Sequence, residues 1–96
     1  MIDKQNSLKL VKDWIKSNNL YYTDSIKYGM DLLLYLDDPD KVHSTYGLII
    51  YNKQITYEYL IALQRVCASC KKVLLIVKVG ENEELEFLSV KRFNNL

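Results

Sequence analysis

The chain has 96 residues, 49% of them apolar, with one proline and three glycines. That length and composition suit one domain with one core, not two, and argue against a disordered chain. A net charge of +1 excludes a polycationic coat for nucleic acid, so a polyanion would be held by a few placed bases.

Residues 4–19 are predicted to form a helix with Ser7 as its N-cap. Leu8, Val11 and Ile15 recur on one face, Leu10 and Trp14 widen it, and Trp14 reads as a core anchor. Asn18 and Asn19 supply a stop, because asparagine tolerates a left-handed cap. A short strand follows at 20–23, turned around by 24–29. Residues 30–36, MDLLLYL, form a strand that is apolar on nearly both faces, which places it inside a sheet. Asp37, Asp38, Pro39 and Asp40 end it as turn formers. The next strand, 44–51, follows so soon that the two should pair antiparallel. Thr56 then caps a second helix, with Glu58 in its first turn and Leu60, Leu63 and Cys67 on one face, flanked by Ile61 and Val66. Residues 73–79 form another apolar strand, 80–84 a turn and 85–92 a final strand. No repeat or linker interrupts the chain.

This is an α/β (α+β) domain in the order α-β-β-β-α-β-β, a small mixed sheet flanked by helices. A strand, a helix and a further strand in sequence give a parallel pair joined by a crossover, so 73–79 should lie parallel to 44–51.

The opening residues, MIDKQNS, carry no apolar signal segment, and no apolar run reaches the roughly 18 residues of a membrane helix. An intracellular protein with reduced thiols is expected. Cys67 and Cys70 form a C-x-x-C pair, but a zinc site needs four ligands, and one pair with one distant histidine does not supply them. Both read as buried structural thiols. Arg65, Lys71, Lys72 and Lys78 form a basic run, and Glu81, Glu83, Glu84 and Glu86 follow at once. These fit either a solvated surface or a functional asymmetry.

The topology makes a sharper prediction. Tyr35 lies near the end of its strand, the only histidine, His43, just before the antiparallel partner, and Lys72 just before strand 73–79. A phenol, an imidazole and an ammonium should therefore meet at one edge of the sheet, where loops on a rigid scaffold carry function. Such a trio suits attack on phosphorus without a metal. An imidazole moves protons near neutrality. An ammonium stabilises charge on a phosphoryl oxygen. A phenol serves as base once a neighbouring cation favours its phenolate. The blander alternatives are a solvated histidine, a packing tyrosine and helix-end lysine charge.

Lys27-Tyr28-Gly29-x-Asp31, Leu33-Leu34-Tyr35, Asp38-Pro39, His43-Ser44-x-Tyr46, Arg65-Val66 and Lys71-Lys72-x-Leu74, in that order and spacing, resemble the catalytic domain of the tRNA-splicing endonucleases. The likeness runs from about Trp14 to Phe93, with the tyrosine and histidine eight apart and the lysine twenty-nine further on. It implies a restriction-endonuclease-like fold and metal-free RNA cleavage without a cofactor. It also implies Tyr35 as general base on the ribose 2′-hydroxyl, His43 as general acid on the 5′-leaving oxygen and Lys72 as transition-state stabiliser. The products would be a 2′,3′-cyclic phosphate and a 5′-hydroxyl.

The resemblance further assigns Arg65 and, more loosely, Arg92 with Phe93 to clamping a bulged base, for which cation–π stacking is suited. It implies precursor tRNA as substrate and a tetramer, homomeric or with other endonuclease subunits, in a cytoplasm or a nucleus and with no membrane partner. Glu81, Glu83 and Glu84 could form the acidic loop that docks on a partner. The whole of 1–96 is expected to be a minimal catalytic unit without a separate N-terminal domain. A metal-dependent DNA nuclease would need E-x-K or D-x-K on the strand after Pro39-Asp40, and STYGLIIY has neither. Two alternatives remain: a non-catalytic RNA-binding subunit of the same assembly, against which all three residues argue, and an unrelated interaction protein.

Overall fold

The computed structural model describes residues 4–24 and 29–90. Among these, two helices and five strands follow the order expected: α1 (Lys4–Ser17), β1 (Tyr21–Asp24), β2 (Leu32–Tyr35), β3 (Tyr46–Ile50), α2 (Tyr57–Ser69), β4 (Val73–Val79) and β5 (Leu85–Val90). The strands form one sheet in the order β1-β2-β3-β4-β5. Only β3 and β4 pair in parallel; the other neighbours are antiparallel.

The sheet has two apolar faces because β2, β3 and β4 are apolar at nearly every position. Leu32, Leu34, Leu48, Ile50 and Val77 lie on one face, where α1 inserts Val11 and Ile15. Leu33, Ile49, Leu74 and Ile76 lie on the other, where α2 presses Leu63 and Cys67 with Met30 beside them. The result is helix on sheet on helix. Trp14 packs at the margin of the first cluster, its ring 4.5 Å from that of Phe87.

The differences from the sequence reading lie at element ends. Ser7 is not the N-cap. The helix already runs from Lys4, and Ser7, four residues before Val11 and eight before Ile15, shares their inward face and is buried. At the other end α1 stops at Ser17. Asn19 takes a left-handed φ of 60°, while the Leu20 N–H reaches the Ile15 carbonyl and the Asn19 N–H that of Lys16. This paired bonding consumes Leu20, so β1 begins one residue later than expected. β2 is shorter than 30–36. Met30 drops under α2, and Leu36 is exposed. β3 is likewise shorter than 44–51, although Thr45 and Tyr51 still donate to Leu34 and Val77 across the ladders. Thr56 caps α2 as read, its hydroxyl accepting from the Tyr59 N–H at 3.1 Å, and β4 has the expected bounds. The last strand is described to Val90; positions 91 and 92 fall outside the described residues.

Two local features hold the layers together. Gly47 of β3 faces α2, and a Cβ there would come within 2.2 Å of the Met30 sulfur and 2.9 Å of the Cys67 sulfur. Asp31, just before β2, accepts the Ile50 N–H at 2.7 Å through one oxygen and holds Lys4 at 2.9 Å through the other. Lys4 is largely exposed, so that ion pair adds little; the bond to Ile50 satisfies a buried donor. Gly47→Ala is expected to destabilise the fold by about 1–3 kcal/mol through overpacking. Asp31→Ala should cost a similar ~1–3 kcal/mol by orphaning the Ile50 N–H, and Asp31→Asn, which keeps an acceptor, should cost less. Urea unfolding checks this; equal stability of Asp31→Ala and wild type would contradict it.

Candidate active site

β2 ends at Tyr35, and the chain crosses 36–45 before entering β3. Leu34 pairs with Tyr46, and Tyr46 with Val73. One residue further along the same ladders, Tyr35, Thr45 and Lys72 fall in one row across β2, β3 and β4. The Thr45 N–H bonds the Leu34 carbonyl at 2.9 Å, and the Val73 N–H bonds the Thr45 carbonyl at 3.0 Å, so the ladder is intact up to this row. Side chains alternate along strands. The row therefore shares its face with Leu33, Gly47 and Leu74, the face covered by α2. His43 sits two residues before Thr45 in the loop that joins the strands.

The acidic residues of that loop fold the turn. Asp37 Oδ1 accepts the Asp38 N–H at 2.7 Å, and Asp38 Oδ1 accepts the Asp40 N–H at 2.9 Å. The Asp38 carbonyl takes the N–H groups of Lys41 and Val42. These side-chain bonds to nearby backbone are what aspartate brings to a turn. His43 beyond them is exposed and makes no hydrogen bond or ion pair with the described residues.

Tyr35 is half-buried and packs against the cluster under α2. Its hydroxyl bonds Thr23 Oγ1 of β1 at 3.2 Å, and either oxygen can donate. Lys72 is half-buried too, its N–H on the Cys67 carbonyl at 2.7 Å. The residue lies beside Met30, Val66, Cys67 and Cys70. The three chemical groups are thus carried to one end of the sheet, but no bond joins their side chains to one another. The Tyr35 hydroxyl is held from β1, on the side of β2 away from Lys72. No carboxylate of the described residues forms an ion pair with Lys72, Lys71 or Arg65.

Cys67 is buried and Cys70 is exposed, so the expectation of two buried thiols holds for the first alone; both are free. Cys70 is the C-cap of α2, where the helix leaves the sheet. Burial pushes the Cys67 thiol above its ordinary range, and the neighbouring Cys70 adds to this. The Gly47 backbone and the Lys72 ammonium act in the opposite direction. Iodoacetamide at neutral pH should therefore modify Cys70 alone in the folded protein and both thiols after denaturation, as read by mass spectrometry. Rapid double labelling of the folded chain would contradict this packing.

Arg65 is exposed on the second half of α2. Arg92 and Phe93 lie outside the described residues, as do Lys27 and Tyr28. Glu81, Glu83 and Glu84 are at the turn between β4 and β5, the opposite end of the sheet from Lys72. Thr23 was invisible to sequence reasoning. Its partner is twelve residues away, and only the β1–β2 register brings the two hydroxyls together. Among the described residues no group of three His, Cys, Asp or Glu side chains could hold a metal ion, and no helix is long and apolar enough to cross a membrane.

The family model for the catalytic C-terminal domain of tRNA intron endonuclease matches residues 7–87, from the first turn of α1 into β5. The chain belongs to that family. The matched span includes Tyr35, His43, Arg65 and Lys72 and ends before Arg92. No curated protein matches the chain. Membership in the tRNA intron endonuclease family agrees with the resemblance carried by the tyrosine, histidine and lysine spacing. It makes the described sheet part of a tRNA intron endonuclease catalytic domain.

Proposed function

We propose that this chain is a catalytic subunit that cuts introns from precursor tRNA at bulge-helix-bulge-type sites, with Tyr35, His43 and Lys72 as its metal-independent centre. The observation that carries the reading is the common row of Tyr35, Thr45 and Lys72, with His43 in the loop beside it, in a domain of the tRNA intron endonuclease family. The Tyr35 oxygen takes the proton of the ribose 2′-hydroxyl. The 2′-oxygen attacks the adjacent phosphorus, and the bond from phosphorus to the 5′-oxygen breaks. The His43 imidazolium gives its proton to that leaving oxygen. Lys72 meets the charge that gathers on the non-bridging oxygens. One strand ends in a 2′,3′-cyclic phosphate and the other begins with a 5′-hydroxyl.

Arg65, with Arg92 and Phe93, is proposed to hold an unpaired base at a neighbouring unit's site by stacking. On this reading the working enzyme is an assembly of such units, with the acidic turn at 81–84 as a docking element and 1–96 as one catalytic domain.

The test is cleavage of an RNA with two bulges across a short helix, in EDTA, by the native assembly. Wild type should leave cyclic phosphate and 5′-hydroxyl ends. His43→Ala should slow cleavage by about a hundredfold or more with unchanged circular dichroism. Ends of the opposite polarity, or wild-type rates in His43→Ala, would refute the assignment; His43→Ala cleaving normally would leave this chain a structural subunit beside an active partner.

A further inference from the structure

Among the described residues the proposed base is held by one polar contact, and it comes from outside the trio. Tyr35 has no hydrogen bond from its side chain to a described residue other than Thr23. Tyr21 stands directly opposite Tyr35 on β1, and Thr23 stands opposite Leu33. The bond is therefore a diagonal one, within reach of an aromatic side chain lying back across the ladder. The geometry of a phenol gives this contact its weight. The oxygen lies on the axis about which the ring flips, so χ2 does not move it. A change of χ1 to another staggered well would carry it several ångströms. The ring packs on the cluster under α2 only by its half-buried face, so the hydroxyl bond and that face together fix χ1.

We propose that Thr23 is a positioning residue for RNA cleavage: its hydroxyl fixes the Tyr35 oxygen at the place from which it meets the ribose 2′-hydroxyl. The inference rests on Tyr35 acting as the base. A phenolate has no proton to give, so in the reactive state Thr23 donates and Tyr35 accepts. The remaining lone pairs of the Tyr35 oxygen are then free for the 2′-hydroxyl, whose proton converts the phenolate to a phenol as the 2′-oxygen bonds to phosphorus. The strand itself does not need this hydroxyl. Thr23 is half-buried in the short outer strand β1, where valine, of the same shape and β-branched, pairs equally well.

The experiment is single-turnover cleavage by the assembled enzyme, read as the maximal rate and the half-saturating concentration, with thermal unfolding alongside. Thr23→Val should lower the maximal rate about tenfold and leave half-saturation unchanged, since only the placement of a reacting group is lost. Thr23→Ser, which restores the hydroxyl, should return the rate to within about twofold of wild type. Thr23→Ala is the second hydroxyl-free variant and should behave as valine does. In a Tyr35→Phe background, Thr23→Val should cost nothing more, because the group it positions is gone. A residue that merely supports the strand would lower the unfolding temperature without this rescue and without this dependence on Tyr35. Wild-type rates in Thr23→Val while Tyr35→Phe is inactive would overturn the role of Thr23 and leave the Tyr35 assignment standing. Wild-type rates in Tyr35→Phe would overturn both.

Discussion

The parallel pairing of β3 with β4 is the constraint on which the site depends. Two parallel neighbours cannot be joined by a turn, because the chain must travel back along the sheet before the second strand begins. Here α2 makes that journey, entering after β3 with the Thr56 cap and leaving at Cys70. It delivers Lys72 to the end of the sheet where β3 starts and β2 stops. An antiparallel β4 would have carried the lysine to the far end. The position of one charged side chain relative to a histidine and a tyrosine is thus a consequence of strand direction. Strand direction in turn rests on the length of an amphipathic helix and on a glycine that lets it lie close. Gly47 lies under α2 where Met30 and Cys67 converge, and a side chain there would push the helix off the sheet.

Much of this was readable in the chain because the strongest signals were redundant. The runs LLLY, YGLII and VLLIVKV are too apolar for an exposed segment and too short for a buried helix, and each is a sheet strand. The α2 cap followed from a threonine at the helix start, and the parallel crossover and the shared sheet end of residues 35, 43 and 72 followed from the order of elements. What was misread is local. Ser7 has the chemistry of a cap, but its spacing from Val11 and Ile15 puts it on a buried face, and helical periodicity outranked capping preference. Cys70 looked like Cys67 until the helix end left it outside. The Thr23–Tyr35 bond and the hold of Asp31 on Ile50 could not be seen, because each depends on a ladder register that no local pattern encodes.

The site also shows how acidic and basic residues share a region meant for a polyanion. Three aspartates stand in the loop beside His43, a poor choice next to phosphate. Two of them, Asp37 and Asp38, are committed to backbone N–H groups that close the turn. Lys72, by contrast, forms no ion pair with a carboxylate of the described residues. For a polyanion the placement of such a cation matters more than the net charge of +1.

The most direct test of the account is a structure of the assembled enzyme with an RNA whose scissile nucleotide carries a 2′-deoxy sugar, which cannot react if the 2′-oxygen is the nucleophile. The account predicts an intact strand with the scissile phosphate at the end of the sheet where β2 stops and β3 and β4 begin. Its oxygens should lie within about 3 Å of the Lys72 ammonium and the His43 ring, and the Tyr35 oxygen should face the sugar. A cleaved deoxy strand, or a phosphate seated at the far end near the turn between β4 and β5, would contradict it.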